Sequence, residues 1–347
     1  MTDALYIYLR GEAALATLPP ALAERARRQW ERYAGQKTLM EKELKFCADH
    51  RIQTLCYCDE AYPQRLKVCP DAPLVLFYLG NAPLNARHIV AIVGTRQITP
   101  YGKDLCARIT ADLARLVPDV LIVSGLAYGA DIHAHRGALQ NGLQTAGVLA
   151  HGLDRIYPYV HKDTAAQMTR QGGLLTEYPM GTEPERHNFV HRNRIVAAIA
   201  DCTIVIESAR RGGSMITASI AHGYGRPVLA CPGRLFDLTS EGCNRAIAEG
   251  VAVPFTSVEE LVEQLGWQPT QTDATQQSLF AADEVSLTSE QQTIMQALRS
   301  ADNGLTADQL SSQLSVPAHV LSAQLMDLEM DGLVAPLPGG RYRVLAK

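Results

Sequence analysis

Seven short apolar runs mark the middle of the chain: HIVAIVG from His88, DVLIVSG from Asp119, TAGVLA from Thr145, GGLLTE from Gly172, CTIVIES from Cys202, RPVLACPG from Arg226 and GVAVPF from Gly250. Apolar and polar residues do not alternate in them, as they would in strands with one wet face. Continuous apolar strands of this length are buried on both faces, the habit of parallel sheets covered by helices. Helix-like segments lie between and after them: Tyr101–Leu116, Asp131–Gln140, Asp163–Arg170, Asn188–Ala200, Ser214–Gly223, Asn244–Glu249 and Val258–Leu265. This alternation predicts an α/β fold, a Rossmann-like, doubly wound and mostly parallel sheet.

Outside this core the pattern changes. Residues 1–80 predict a small helical domain, with Ala21 to Phe46 rich in Ala, Arg, Glu and Lys, and then a lead-in of short strands. Residues 81–266 form the doubly wound domain. Residues 267–286 hold three acids, no Lys or Arg, and many Gln and Thr, and read as a linker. Residues 287–347 read as a winged helix. Thr306 with Gln309 fits a capping box, and Leu321, Leu325 and Leu328 share one helix face. Gly332 can end that helix, and a hairpin turning at Gly339-Gly340 comes after it.

Composition narrows the function classes. The 347 residues carry a net charge of −4, so any nucleic-acid surface must be a local patch. Eight cysteines include no CxxC pair, which predicts buried thiols in a reducing compartment rather than a zinc site or redox dithiol. No run approaches the roughly 18 apolar residues of a membrane span. The expectation is a cytoplasmic protein with no membrane partner, no metal and no cofactor.

Ligands of open parallel sheets sit beyond the carboxyl ends of the strands. Three glycine-rich turns fall there: Gly94-Thr95-Arg96, Ser124-Gly125-Leu126-Ala127-Tyr128-Gly129-Ala130-Asp131, and Ala209-Arg210-Arg211-Gly212-Gly213-Ser214, which runs on to Thr217. Helix starts offer free N–H groups and a partial positive charge. Any one turn could serve tight geometry alone. Three at one sheet edge, two with arginines, point to a phosphate-binding surface. A GxGxxG after the first strand, a P-loop and a GxSxG are all absent, which argues against dinucleotide oxidoreductases, NTPases and serine hydrolases. His133 and His135 would point apart on a helix, so capping by Asp131 and packing account for that segment better than a metal. His187 and His191 have ligand spacing, but Asn188 replaces the glutamate of HExxH.

The segment 186–211 holds Arg186, Arg192, Arg194, Arg210 and Arg211 against Asp201 and Glu207, a net +3 within an acidic protein. Arg186 lies just ahead of Phe189. An aromatic among arginines is a sequence-tolerant way to hold single-stranded nucleic acid, with bases on the ring and phosphates on guanidinium groups. Equally, Phe189 could pack a helix start while an arginine pairs with Asp201 or Glu207.

These motifs, taken in order, resemble those of the DNA-processing protein A (DprA/Smf) family. They are VGTR at 93–96, SGLAYGAD at 124–131, GLLTEYPMG at 173–181, FVHRNR at 189–194, ARRGGSMITA at 209–218, CPG at 231–233 and GCNRAIAEG at 242–250. Asp59, Tyr62-Pro63, Leu66, Pro73 and Gly80 resemble its lead-in. Val190 stands where the family usually has Pro, and Ala130 where it usually has Ile. The resemblance implies a non-enzymatic single-stranded-DNA-binding protein that protects incoming DNA in natural transformation and helps load the RecA recombinase. It also implies a homodimer through the central domain and a helix-hairpin, SAM-like N-terminal domain. Carried onto this chain, the DNA site comprises Gly94, Arg96, Ser124, Gly125, Gly129, Asp131, Arg186, Phe189, Arg192, Asn193, Arg194, Arg211, Gly212, Gly213, Ser214 and Thr217.

Two other readings compete. A phosphoribohydrolase on a similar sheet needs an acid beside its phosphate turn, in a PGGxGTxxE pattern, and the turn here runs GGSMITASIA. A ligand-sensing transcription factor would read duplex DNA through its winged helix. Yet residues 286–347 hold Arg299, Arg341, Arg343 and Lys347 against Glu290, Asp302, Asp308, Asp327, Glu329 and Asp331, a net −2. The helix that would read the groove, 317–330, has no Lys or Arg. This module is expected to bind a protein partner or its own central domain rather than duplex DNA.

Overall fold

Alternate side chains of the central strands enter two different cores. In β3 (Ile89–Val93), Ile89, Ala91 and Val93 belong to one buried cluster, and Val90 and Ile92 to another. The same division runs through β4 (Leu121–Ser124), β7 (Cys202–Val205) and β8 (Val228–Ala230). Both faces of the sheet are therefore dry, which explains why these segments are apolar throughout.

The computed structural model describes residues 1–267, 289–299, 305–314, 316–330, 333–337 and 341–344. Residues Met1–Gln271 and Thr272–Lys347 form two separate units. The first opens with α1 (Thr2–Arg10), α2 (Pro20–Tyr33) and α3 (Lys37–Asp49), then β1 (Gln53–Cys56) and β2 (Val75–Gly80). After β3 come α4 (Pro100–Leu116), β4, α5 (Ala130–Gln140), β5 (Gln144–Val148), α6 (Lys162–Met168) and β6 (Gly172–Thr176). The unit ends with α7 (Arg186–Ile199), β7, α8 (Gly213–Gly223), β8, α9 (Glu241–Ala248), β9 (Val253–Pro254) and α10 (Val258–Gln264). These bounds agree with the periodic pattern to within a few residues.

The sheet order is β1-β2-β6-β5-β4-β3-β7-β8-β9. From β6 to β9 every pairing is parallel, with Ala91 of β3 opposite Val123 of β4 and Thr203 of β7. The chain winds outward from β3 to β6 and then returns to the other side of β3. That reversal opens a crevice at the carboxyl ends of β3, β4 and β7. Helices α4, α5 and α10 cover one face through Ile109, Leu113, Ala134, Ala138 and Leu261. Helices α7, α8 and α9 cover the other through Ile195, Val196, Ala218, Ala221 and Ala246.

The expected N-terminal division is corrected in one respect. β1 and β2 are not part of a separate helical unit, because β2 pairs antiparallel with β6 and extends the main sheet. The helices share its core as well, with Leu5, Tyr6 and Leu22 in one cluster with Leu76 and Phe77. Buried Glu43 of α3 accepts the Met180 N–H at 3.0 and 3.1 Å, and burial pushes its pKa up. Local sequence could not show this, since the pairing joins segments about a hundred residues apart.

The second unit holds α11 (Ser289–Arg299), β10 (Leu305–Thr306), α12 (Ala307–Leu314), α13 (Ala318–Met330), β11 (Val334–Leu337) and β12 (Arg341–Val344). It has a winged-helix architecture, with the three strands in the order β10-β12-β11. The capping box is present in both directions: Thr306 N–H to Gln309 Oε1 at 2.9 Å and Gln309 N–H to Thr306 Oγ1 at 3.2 Å. Leu321, Leu325 and Leu328 are fully buried. The turn at Gly339-Gly340, Gly332 and all of the expected linker except Trp267 lie outside the described residues. Among the described residues, no helix is long and apolar enough to cross a membrane.

Candidate nucleic-acid interface

The crevice holds a cavity of about 690 Å³. The β3 turn supplies Gly94, Thr95, Arg96 and Gln97 to its wall, and the β4 turn supplies Gly125, Ala127 and Asp131. Helix α7 contributes Arg186, Phe189, Arg192 and Asn193. The β7 turn and the start of α8 contribute Arg211, Gly212, Gly213, Ser214 and Thr217. Residues from four separate stretches of sequence thus meet at one sheet edge.

Two glycines allow this convergence. Gly129 has φ +78°, and a Cβ there would lie 2.0 Å from the Thr95 carbonyl oxygen. Only glycine lets the β3 and β4 turns come this close. The Ala130 N–H then bonds to Thr95 O at 3.1 Å. At Gly125, a Cβ would lie 2.0 Å from Nη1 of Arg192, so the missing side chain leaves room for that guanidinium. Between them, Leu126 takes φ +55°, which is costly for a leucine. Its carbonyl accepts a hydrogen bond from Nδ1 of buried His161 at 2.8 Å, and its side chain is fully buried. The turn is held in this shape from outside.

Charge in the cavity is one-sided. Arg96, Arg186, Arg192 and Arg211 line it against Asp131 alone among the described residues. Asp131 Oδ2 accepts the N–H groups of Gly125 and Ala127 at 3.2 and 3.3 Å. Burial pushes the Asp131 carboxyl pKa up, and facing Arg192 pulls it back. Burial likewise works against the Arg192 charge, and Asp131 supports it. A guanidinium keeps its proton in such a setting. Arg192 Nη1 donates to Val148 O, while no acceptor among the described residues meets its buried Nε–H. A buried donor without a partner at a cavity wall suits an acidic ligand.

Phe189 lies in the middle of this charge. Its ring is half-buried and belongs to no core cluster of the described residues. The Arg96 guanidinium sits 5.1 Å from the ring centroid, that of Arg192 5.9 Å, and the Tyr157 ring 5.8 Å. Such an aromatic surface can exchange a cation for a base.

Three expected site residues do not line the cavity. Ser124 is buried and donates to Ile92 O at 2.6 Å. Gly129 acts behind the wall, where it lets the two turns meet. Arg194 is buried on another side of α7, where it pairs with Glu177 at 2.5 Å and lies 3.5 Å from Asp71. Two positions along the helix are enough to put Arg192 and Arg194 in different surroundings. The pairing expected for Asp201 and Glu207 also differs. Asp201 takes Arg65 at 2.6 Å, and Glu207 accepts from Thr99 N–H and Oγ1–H at the start of α4. Neither carboxylate neutralises a cavity arginine.

His135 is fully buried and bonded to Thr145 at 2.7 Å, whereas His187 and His191 are exposed beside Glu185 and Glu177. Sequence reading missed Tyr157 and Pro184, which also line the cavity. Tyr157 lies in the loop beyond the carboxyl end of β5. The placement of ligands at strand ends in open parallel sheets applies to β5 as much as to β3 and β4, and is the signal that points to it.

Sequence comparison matches residues 53–266 to the DNA recombination-mediator protein A family and residues 278–340 to the DprA winged helix domain. The chain is 42% identical over 204 residues to a putative DNA processing protein DprA of Mycobacterium tuberculosis, covering 58% of this chain. It spans about half of that relative's length, 52%. The solved DNA processing protein A of Streptococcus pneumoniae superposes with a TM-score of 0.62 at 32% identity, over 76% of this chain and 92% of that one. That of Helicobacter pylori gives 0.56 at 31% identity, over 62% and 95%. This chain belongs to the DNA recombination-mediator protein A family.

Proposed function

We propose that this family member binds single-stranded DNA in the β3–β4–β7 crevice and acts as a recombination mediator. The observation that carries the reading is Phe189 in a cavity whose arginines outnumber its acids, at the edge where the β3, β4 and β7 turns meet. The Helicobacter pylori relative was solved to describe its single-stranded-DNA binding mode, which supports the same ligand here. Bases stack on Phe189, and Arg96, Arg186 and Arg211 take phosphates. Asp131 and Gly129 shape the wall. On this reading the protein holds its ligand without covalent chemistry. In support of that reading, Asp131 already accepts two backbone N–H groups, and Glu207 accepts from Thr99.

The physiological act is protection of incoming single strands in natural transformation and delivery to the RecA recombinase, by a cytoplasmic homodimer joined through the central domain. Fluorescence anisotropy with single-stranded and duplex DNA, beside an assay for base release from AMP, tests the binding reading. Single-strand affinity without base release is expected, and base release would overturn it. Strand exchange by RecA on DNA coated with single-strand-binding protein tests the mediator role. Failure of this protein to stimulate it would remove that role.

A further inference from the structure

Between β5 and α6, the chain runs from the cavity wall at Tyr157 as an aromatic strap, Tyr157-Pro158-Tyr159-Val160-His161, and enters α6 at Lys162. Tyr157 belongs to the cavity wall, and its ring meets Phe189 at 5.8 Å. Tyr159 is 73% exposed, and Lys162 Nζ lies 5.5 Å from its ring centroid. Tyr128, on the β4 turn, is 48% exposed and meets the His161 ring edge-on at 5.1 Å. His161 in turn holds the Leu126 carbonyl, so strap and turn are fastened together. Beyond the strap, a groove of about 510 Å³ between α5 and α6 carries Arg136 and Arg170 beside Asp163.

Solvent-facing tyrosines stabilise a fold little, yet here three of them continue the surface that Phe189 begins. A lysine accompanies them, and Arg136 and Arg170 line the groove between α5 and α6, which also includes Asp163, next to Lys162 in sequence. We propose that Tyr159 and Tyr128, with Lys162, continue from Tyr157 at the cavity wall as a second stacking segment, on which further bases of the same strand lie outside the Phe189 cavity. The inference rests on the single-stranded-DNA reading of that cavity and extends it. Tyrosine offers a flat face to any base, and the lysine offers a phosphate partner without sequence preference. A protein partner would find less here, because the strap presents flat rings and a charge rather than a branched aliphatic patch.

Two oligothymidylates separate the cavity from the strap: one of about three nucleotides, which stays within the cavity, and one of about twenty, which reaches beyond it. Tyr159→Ala and Tyr128→Ala should each weaken binding of the long oligonucleotide by at least about fivefold and leave the short one unchanged. Tyr159→Phe should keep wild-type affinity, because the ring face and not the hydroxyl makes the contact. Phe189→Ala should weaken both lengths. Unchanged affinity of the tyrosine variants for the long oligonucleotide, with Phe189→Ala still weakening it, would overturn the strap and leave the cavity reading intact. Equal losses for both lengths would overturn it too, by showing that the tyrosines act on the cavity's shape. Wild-type protein that binds neither length would overturn the cavity reading and the strap with it. Urea unfolding of the variants serves as the control, and at 73% exposure Tyr159→Ala should unfold like wild type.

Discussion

Replacing Phe189 by alanine separates a stacking platform from a core residue, because the two roles predict opposite pairs of numbers. As a platform, the ring supplies one base–aromatic stack, about 1–3 kcal/mol of single-strand affinity, or roughly five- to 150-fold in Kd. Its contribution to folding is limited by what it touches. The Tyr157 ring at 5.8 Å and the Arg96 guanidinium at 5.1 Å are its ring and cation partners nearest in distance. Losing an aromatic pair and an exposed cation–π contact costs about 1–2.5 kcal/mol together. A fully buried phenylalanine would cost about 3–5 kcal/mol. Urea unfolding and fluorescence anisotropy on the same variant read both quantities. The platform account requires a large affinity loss beside a small stability loss. A stability loss above about 3 kcal/mol with unchanged affinity of the folded fraction would refute it. A double-mutant cycle with Arg96→Ala should be non-additive, since the guanidinium and the ring share one ligand position.

Three further outcomes rest on the same geometry. Arg96→Ala should weaken binding to all sequences alike and reduce the salt slope by about 0.7, the value for one phosphate contact on a single strand, whereas Arg96→Lys should recover only part of the loss; an unchanged slope would move that phosphate elsewhere. Burial pushes His135 down to about 3, so the folded protein holds fewer protons there than the unfolded chain between that value and about 6.5, and stability is lost as pH falls through this window. The stability gap between wild type and His135→Gln, measured by urea unfolding, should therefore narrow by about 2 kcal/mol between pH 6.5 and 4.5, and parallel pH curves would exclude the effect. Ending the chain near Thr275 should leave a folded unit with most of its single-strand affinity, and the isolated 287–347 module should bind duplex DNA weakly; a loss of about a hundredfold, or tight duplex binding by the module, would show that the module reads DNA directly.

Local sequence determined the elements. Continuous apolar runs such as IVAIV and LIVS, bounded by turn residues and alternating with helical segments, read as strands buried on both sides, and the thiols, alanines and leucines between them fall on helix faces that cover the sheet. It also placed the glycine-rich turns, because loops at the carboxyl ends of parallel strands share one edge whatever the rest of the chain does. The capping box of Thr306 and Gln309 was legible for the same reason: both partners lie within one turn of helix. What tertiary structure alone decided was direction and partnership. Arg192 and Arg194 are two residues apart, and their side chains leave α7 on different sides. One reaches the cavity over Gly125, while the other reaches Glu177 and Asp71, residues that only folding brings near. β2 joined β6 rather than a separate domain because strand pairing is a long-range choice, made by the free edge of a sheet that does not exist until the chain has wound. Tyr157 became part of the site because a loop from the third parallel strand of the winding folds back against α7, a contact that no local pattern encodes.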